Sequence, residues 1–457
     1  MSNASSFLAK STIKAADLNH RRTINFNIGK YNAVVPQGKK QFALLEQARQ
    51  RAKDLKWRAI ENLDKNLESF ESKFTNRGGK VIWAEDAQQA LDEILKICQA
   101  ANCKTVVKSK SMVTEELKLN HFLEKNNIES VETDLGEYIQ QLDGEPPYHI
   151  VTPAMHKSKE DVARLFANKL GTEPNLNPTQ LALVARHKLR QKYVEAEVGV
   201  TGANFLIADT GSIAITENEG NARLSCAFPK IHIAIVGIEK VIPSLTDLAM
   251  FWPLLATFGT GQKVTSYNTI VSGPRQKGET DGPEQMYVIL LDNGRTNLLA
   301  DPVAREALYC IRCGACLNAC PVYKNIGGHS YDTTYSGPIG SVITPHLKGQ
   351  DYKHLSYASS LCGNCTEVCP VKINLHELLL HNRHEAVIEG ESTLSERLAW
   401  KAWQQASLHR GMMNMGNGKL KNWVVNSVFK GWTVHRSKLD FSKKTFNEMW
   451  KDSHLNG

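Results

Sequence analysis

The chain of 457 residues has no apolar run approaching the ~18 residues that a membrane-spanning helix needs. Its longest candidate, Leu245 to Phe258, is broken by Asp247 and Pro253. The opening stretch, Met1-Ser-Asn-Ala-Ser-Ser-Phe-Leu-Ala-Lys10, lacks the apolar core of a secretory signal. No G-x-G-x-x-G occurs, so the dinucleotide fingerprint is missing, and no flavin motif is evident. No period marks a repeat array. Cysteine is sparse over most of the chain. Of ten, only Cys98, Cys103 and Cys226 lie outside one short stretch, in apolar contexts that suit buried small hydrophobes. These absences exclude a membrane span and a secreted disulfide scaffold. They predict a cytoplasmic protein with reduced thiols, with peripheral contact at the inner membrane face left open.

What is present is ordinary in bulk. Hydrophobic residues make up 42% and charged residues 22%, enough for a normal core. The net charge of +8 is scattered rather than massed. Solvated faces account for it; an acidic partner or membrane surface is compatible, and no nucleic-acid partner is expected. The length predicts two or more domains.

Four segments are expected. Residues 1–80 read as helical after a loose start, with a long amphipathic helix over Gln41 to Phe74 (apolar Leu44, Leu45, Ala48, Ala52, Leu55, Trp57, Ile60, Leu63, Leu67, Phe70) ending before Gly78-Gly79. Residues 81–299 alternate strand and helix patterns. Strands are predicted at Val81–Trp83, Thr105–Val107, Phe205–Ala208, Ser212–Ile215, Ile231–Val236 and Met286–Leu291, with a helix over Ala87–Ala100. Asp209-Thr-Gly211 reads as a hairpin turn. This alternation implies an α/β fold with a mostly parallel sheet. Residues 300–378 carry the cysteine motifs. Residues 379–457 form a polar helical tail with Trp400, Trp403, Trp423, Trp432 and Trp450. Those rings are expected to pack on the chain's own body in preference to a partner or membrane edge.

Seven cysteines form two runs: Cys310-Ile-Arg-Cys313-Gly-Ala-Cys316-Leu-Asn-Ala-Cys320-Pro321, and Cys362-Gly-Asn-Cys365-Thr-Glu-Val-Cys369-Pro370. The first run is C-x₂-C-x₂-C-x₃-C-P, the bacterial ferredoxin signature. Three thiolates two residues apart cap three corners of one cubane, and the fourth serves the other cluster. By that crossing, Cys310, Cys313 and Cys316 hold the first cluster with Cys369, while Cys362 and Cys365 hold the second with Cys320. Small residues (Gly314, Ala315, Gly363) let backbone N–H groups reach the sulfurs, and Arg312, Lys324 and Lys372 offset cluster charge. Pro321 and Pro370 are expected to stop helical continuation. The second run has serine, Ser359, where its first cysteine belongs. A four-iron cluster with a serine oxygen or another ligand, a three-iron cluster, or a four-iron cluster with one labile iron all remain open there. Zinc, which takes four ligands in two CxxC pairs, fits seven cysteines with two C-P endings poorly. The segment Gly327–Gly340 between the runs reads as loop.

Two further constellations stand out. Thr201–Asn221 is dense in turn and polar residues, and Asn204, Asp209, Glu217 and Asn218 form a candidate acid-substrate or anion pocket, with plain loop chemistry as the other reading. Lys108-Ser-Lys-Ser-Met112 joins a strand to a helix. Its hydroxyls and lysines suit phosphate or carboxylate, and a simple N-cap at Ser111 or Thr114 serves as well.

Taken with Glu132-Thr-Asp-Leu-Gly-Glu137 and Tyr335-Ser-Gly-Pro-Ile-Gly340, these motifs resemble the lactate utilisation protein B family over nearly the whole chain. The resemblance implies an iron–sulfur subunit with a LUD-type α/β domain of the fold shared by sugar-phosphate isomerases and CoA transferases. It implies two [4Fe-4S] clusters in a ferredoxin-type domain, on Cys310, Cys313, Cys316, Cys320, Cys362, Cys365 and Cys369, with serine at Ser359 a family habit. It implies electron transfer in L-lactate oxidation to pyruvate beside two sister subunits; the electron acceptor, a quinone or another carrier, is left open. Catalytic residues are not assigned: the match of Thr216-Glu217-Asn218 to a CoA-transferase glutamate is loose. The alternative function is an α/β domain that itself binds or converts an acid substrate.

Overall fold

The computed structural model describes residues 2–390, 394–428 and 436–455. They separate into two compact units, 1–385 and 386–457, so the first three expected segments fall in one unit.

The start of the chain is helical, not loose. Helices Asn3–Ala16 and Leu18–Lys39 begin where the side chains of Ser2 and Asp17 accept from the N–H groups of Ser5 and His20. Ile24 and Ile28, one turn apart, bury the second helix. The predicted long helix is two, Leu45–Glu61 and Leu63–Thr75. The break is local: Asn62 donates from its amide to Arg58 O at 3.0 Å and Asn66 to Ala59 O at 3.1 Å, taking carbonyls near the break. Leu55, Ile60, Leu67, Phe70 and Phe74 are buried as expected, whereas Leu44 and Trp57 face solvent.

A six-stranded sheet carries the α/β part: β1 (Lys80–Ala84), β2 (Thr105–Lys108), β3 (Glu129–Glu132), β4 (Val198–Thr201), β7 (Ile231–Gly237) and β10 (Gln285–Leu291), in the order β1-β10-β7-β4-β2-β3. Every pairing in it is parallel. Central β7 is buried throughout, as a strand covered on both faces must be. A second sheet, β8-β5-β6-β9, comprises β5 (Phe205–Ile207), β6 (Ser212–Glu217), β8 (Val241–Ile242) and β9 (Tyr267–Val271). Within it β5 and β6 form the antiparallel hairpin predicted around Gly211.

One apolar core runs from the N-terminal helices (Ile24, Phe70, Phe74) through the second sheet (Phe205, Ile213) to the cysteine loops (Cys313, Cys316, Cys369). The cysteine region is therefore packed into the same unit, not appended to it. Helix Ala315–Ala319 ends just before Pro321, as expected, and Pro321 then opens a second helix, Pro321–Ile326, at the first position, where its missing N–H costs nothing. The linker between the cysteine runs is irregular only as far as Ser336, and helix Gly337–Lys348 follows.

The second unit holds helices Leu394–Leu408, Arg410–Met413, Gly418–Val428 and Phe446–Leu455. Trp400, Trp403, Trp423 and Trp450, all in this unit, are more than half exposed. Their ring contacts are local, Trp400 on Trp403 and Trp450 on His454. Trp432 lies outside the described residues.

Candidate metal centre and adjoining cavity

The cysteine loops are drawn together by backbone carbonyls and N–H groups. Asn364 donates to Ala319 O at 3.1 Å, tying the second run to the first. Arg49, from the helix Leu45–Glu61, donates to Glu367 O at 2.7 Å and to Cys369 O at 2.8 Å. Lys53, one turn on, reaches Lys372 O at 3.2 Å and Glu306 at 2.6 Å. The N-terminal helix thus pins the second run from outside.

The sulfurs sort into two groups. Burial raises the thiols of Cys313 and Cys316, and charge on Cys310 and Cys369 raises them further. Burial pushes Cys365 up to about 11, with Cys320 and then Cys362 adding to it. Cys310, Cys313, Cys316 and Cys369 line one apolar cavity together with Ile339, Pro370 and Val371. Backbone N–H groups point at these sulfurs: Arg312 N to Cys310 Sγ at 3.4 Å, and Ile373 N to Cys369 Sγ at 3.3 Å. In the other group Tyr323 N lies 3.5 Å from Cys320 Sγ. Gly314 sits at φ +79°, and a Cβ there would press on Val151. Crowded buried thiols repel one another once ionised; cationic iron relieves that repulsion, so this donor set fits an iron–sulfur group.

The Ser359 hydroxyl accepts from Leu361 N at 3.1 Å. The hydroxyl beside Cys362 is that of Ser360, which with the N–H of Asn364 holds that exposed thiol below its usual range. Of the three cations expected to offset charge, Arg312 lies over the Tyr335 ring at 4.5 Å and 3.6 Å from Glu239, while Lys372 pairs with Glu46 at 3.5 Å. Lys324 acts on Cys320, lowering its thiol against the larger effect of burial. Cys98, Cys103 and Cys226 are buried as expected.

A cavity of about 280 Å³ opens where β2, β4 and β7 end. Open parallel sheets bind ligands at this edge, because the loops leaving the strands converge there. Its walls include Ser109–Ser111 after β2, Gly202–Asn204 after β4, Thr216–Glu219 at the end of β6, and Glu239-Lys240 after β7. Arg312, Cys313 and Tyr335 close the wall on the cysteine side.

Asn204, Glu217 and Asn218 line this cavity, as the sequence suggested. Asp209 does not; its carboxylate accepts from Leu245 N at 3.0 Å elsewhere. Lys108 is also turned away. Fully buried, it pairs with Glu132 at 2.7 Å and Glu115 at 3.0 Å, which removes it from any anion site. Ser111 is the N-cap of the short helix Met112–Leu117. The Glu217 carboxylate accepts from Ala222 N at 2.7 Å and Arg223 N at 2.9 Å, so it is held as a cap. Burial and then Asp134 raise Glu219 to about 7.

Sequence reasoning missed Arg49, Lys56, Glu116, Glu239, Lys240 and Arg295. Arg295 binds Glu116 at 2.9 Å and Glu239 at 2.7 Å, and Tyr335 donates to Glu116 at 2.5 Å. Burial would raise Glu239, but Arg295, Lys240 and Arg312 hold it down to about 2. A lone charged residue in a strand or helix gives no sign of the partner it will meet 50 or more positions away.

Fold and site define an α/β protein with an iron–sulfur dicluster region packed against its sheet. The family model of the LUD domain matches residues 67–291, and that of the 4Fe-4S dicluster domain matches residues 306–373. Lactate utilization protein B of Bacillus velezensis is 47% identical over 425 residues, covering 89% of this chain and 88% of that protein. The protein of the same name from Bacillus subtilis is 43% identical over 430 residues, covering 87% and 90%. A crystal structure of a duf162 family protein from Deinococcus radiodurans covers 50% of this chain at 14% identity and TM-score 0.26, a likeness that carries no argument. The chain belongs to the lactate utilization protein B family, and its dicluster domain implies two iron–sulfur clusters. No helix among the described residues is long and apolar enough to cross a membrane.

Proposed function

We propose that this protein is the iron–sulfur electron-transfer subunit of an L-lactate oxidation system, carrying electrons through two [4Fe-4S] clusters. Cys310, Cys313, Cys316 and Cys369 hold the first cluster. Cys320, Cys362 and Cys365 hold the second, with Ser359 at its fourth position and Ser360 as the competitor. The observation that carries this is the sorting of seven thiols into two groups that cross between the runs. The clusters supply one-electron storage. The chain supplies N–H donors to the sulfurs, an apolar wall that excludes water, and nearby cations that favour the reduced state. Its sister subunits accept or deliver the electrons, and a quinone or another carrier takes them onward.

Anaerobic protein should contain about eight irons (about seven if the second cluster is three-iron), with acid-labile sulfide in matching amount. Lactate should reduce it only with the sister subunits present. Reduction by lactate with this chain alone would contradict a pure relay. S359A or S360A should alter the spectrum of the second cluster only.

The cavity against Cys313 favours a second reading, in which the α/β domain, of the isomerase and CoA-transferase type, itself binds an acid substrate. Alanine at Asn204 or Glu217 should then abolish turnover at unchanged iron content, while D209A, remote from the cavity, leaves turnover intact.

A further inference from the structure

Three segments far apart in the chain meet beside Tyr148. Glu145 follows helix Leu135–Asp143, His156 precedes helix Lys159–Leu170, and His329 lies on the linker between the cysteine runs. One ring nitrogen or carboxylate oxygen of each lies within 4.8 Å of the other two, and His156 Nε2 is 3.0 Å from Glu145 Oε2. The Tyr148 ring is the wall behind them. It stacks on His156 at 4.5 Å and meets His329 edge-on at 4.9 Å. Its hydroxyl lies 2.9 Å from His20 Nε2, and its carbonyl accepts from the Tyr323 hydroxyl at 2.9 Å. The linker is pressed against this wall, since a Cβ at Gly328 would overlap the Tyr148 carbonyl oxygen. The His329 ring is thus carried on a rigid support.

The chemistry of the set suits a metal ion. The Pro146 carbonyl accepts from His329 Nε2 at 2.8 Å, which keeps the proton there and the lone pair on Nδ1. His156 Nδ1 is buried with no hydrogen-bond partner, so the protein does not use both nitrogens of that ring. Burial lowers both imidazoles below their usual range and leaves them neutral. The His156 hydrogen bond, with Lys157, holds Glu145 down to about 2 and so ionised. Two neutral imidazoles and a carboxylate suit borderline divalent ions, whereas calcium and magnesium take oxygen ligands. A tetrahedral ion bonded at about 2.0–2.1 Å spaces its ligand atoms about 3.4 Å apart, which small side-chain rotations can reach here. Glu145, 37% exposed, is the side from which an ion and a water molecule enter.

Two cations stand close. Lys157 Nζ is 2.9 Å from Glu145 Oε2 and competes for it, but Asp143 also holds Lys157 and keeps it paired when Glu145 turns to an ion. Lys14 adds positive charge near both rings. On the other side Glu145 lines a small cavity with Glu115, Glu124, Glu132 and Glu137, three of which share Lys108. That acidic neighbourhood draws cations toward Glu145.

We infer that Glu145, His156 and His329 form a binding site for one divalent transition-metal ion of the zinc type, with water as the fourth ligand. The ion fastens the α/β part to the linker between the cysteine runs, and it needs neither cysteine run as a ligand.

The test is calorimetric titration of anaerobic, iron-loaded full chain with zinc and, separately, with calcium, with iron measured before and after. One zinc per chain is expected, at least tenfold tighter than calcium, at unchanged iron content. H329Q keeps a donor for Pro146 O and E145Q keeps an acceptor for His156, yet each should weaken zinc binding at least tenfold. Zinc should raise the thermal midpoint of the parent and not that of H329Q. K157M removes a competing charge and no ligand, so it should tighten binding at least threefold. No saturable zinc binding overturns the site. So does unchanged affinity in H329Q and E145Q, and so does calcium binding as tight as zinc, which would place the ion in the acidic cavity. Iron released in step with zinc uptake overturns it too, because zinc would then be entering the cysteine loops. Should H329Q and E145Q fail to fold, K157M decides: binding no tighter than the parent's overturns the site.

Discussion

His232 is the residue whose burial has the clearest consequence for pH. It is fully buried on β7, with Nε2 2.8 Å from Thr201 Oγ1 and 3.4 Å from Cys226 Sγ, and Nδ1 without a partner. Burial lowers its pKa from 6.5 to about 4. The folded protein therefore keeps it neutral where the unfolded chain takes up a proton. Stability from this group is fully present above pH 6.5 and is lost as pH falls toward 4, by at most roughly 3 kcal/mol. Urea midpoints measured across that window should fall less steeply in H232Q than in the parent. Parallel slopes would show that His232 does not drive the loss. Glu116 makes a second case. Its carboxylate takes Arg295, Tyr335 and Asn293, and it is 9% exposed. E116A leaves Arg295 half-paired in the interior and should cost about 3–5 kcal/mol in denaturant unfolding. A cost below about 1 kcal/mol would mean that water replaces the carboxylate.

Strand β4 shows what local sequence signals leave out. Val198-Gly-Val-Thr201 is buried at all four positions, yet glycine weakens its strand pattern. The glycine is required by a neighbour: a Cβ at Gly199 would overlap the carbonyl oxygen of Ser225, where helix Asn221–Ala227 crosses the sheet. G199A should push that helix outward and cost at least about 2 kcal/mol, read as a lower thermal midpoint. An unchanged midpoint would show that the helix can shift freely. β3 and β9 were missed for related reasons. Glu129-Ser-Val-Glu132 is polar because Glu132 pairs with buried Lys108, and β9 has no fully buried residue. The helix Ala87–Ala100, in contrast, matches its prediction at both ends, because Asp86 caps it and its apolar stripe is regular.

Across the whole molecule, every cysteine lies in the first compact unit. A chain ending at Gly390 should load the same iron and sulfide as the full chain. Iron loss on that truncation would show that the second unit supports the metal centre. In the first unit, Arg49 on an N-terminal helix reaches the carbonyl of Cys369, 320 residues away. Removing iron under chelation should therefore lower the stability of that unit, N-terminal helices included, because cysteine loops and helices share one core.

The sequence alone determined the seven cysteines and their spacing, the α/β alternation and most of the central strands. Those features are local: a cubane is bounded by residues two and three apart, and a strand or helix by its own periodicity. Only the tertiary structure decided that the loops after β2, β4 and β7 meet the first cysteine loop around a cavity, and that Asp209 and Lys108 turn away from it. It alone assembled Lys240, Arg312 and Glu239 beside Cys313. Charges so far apart in the chain are brought together by sheet order and core packing, and neither is written in any short stretch of residues.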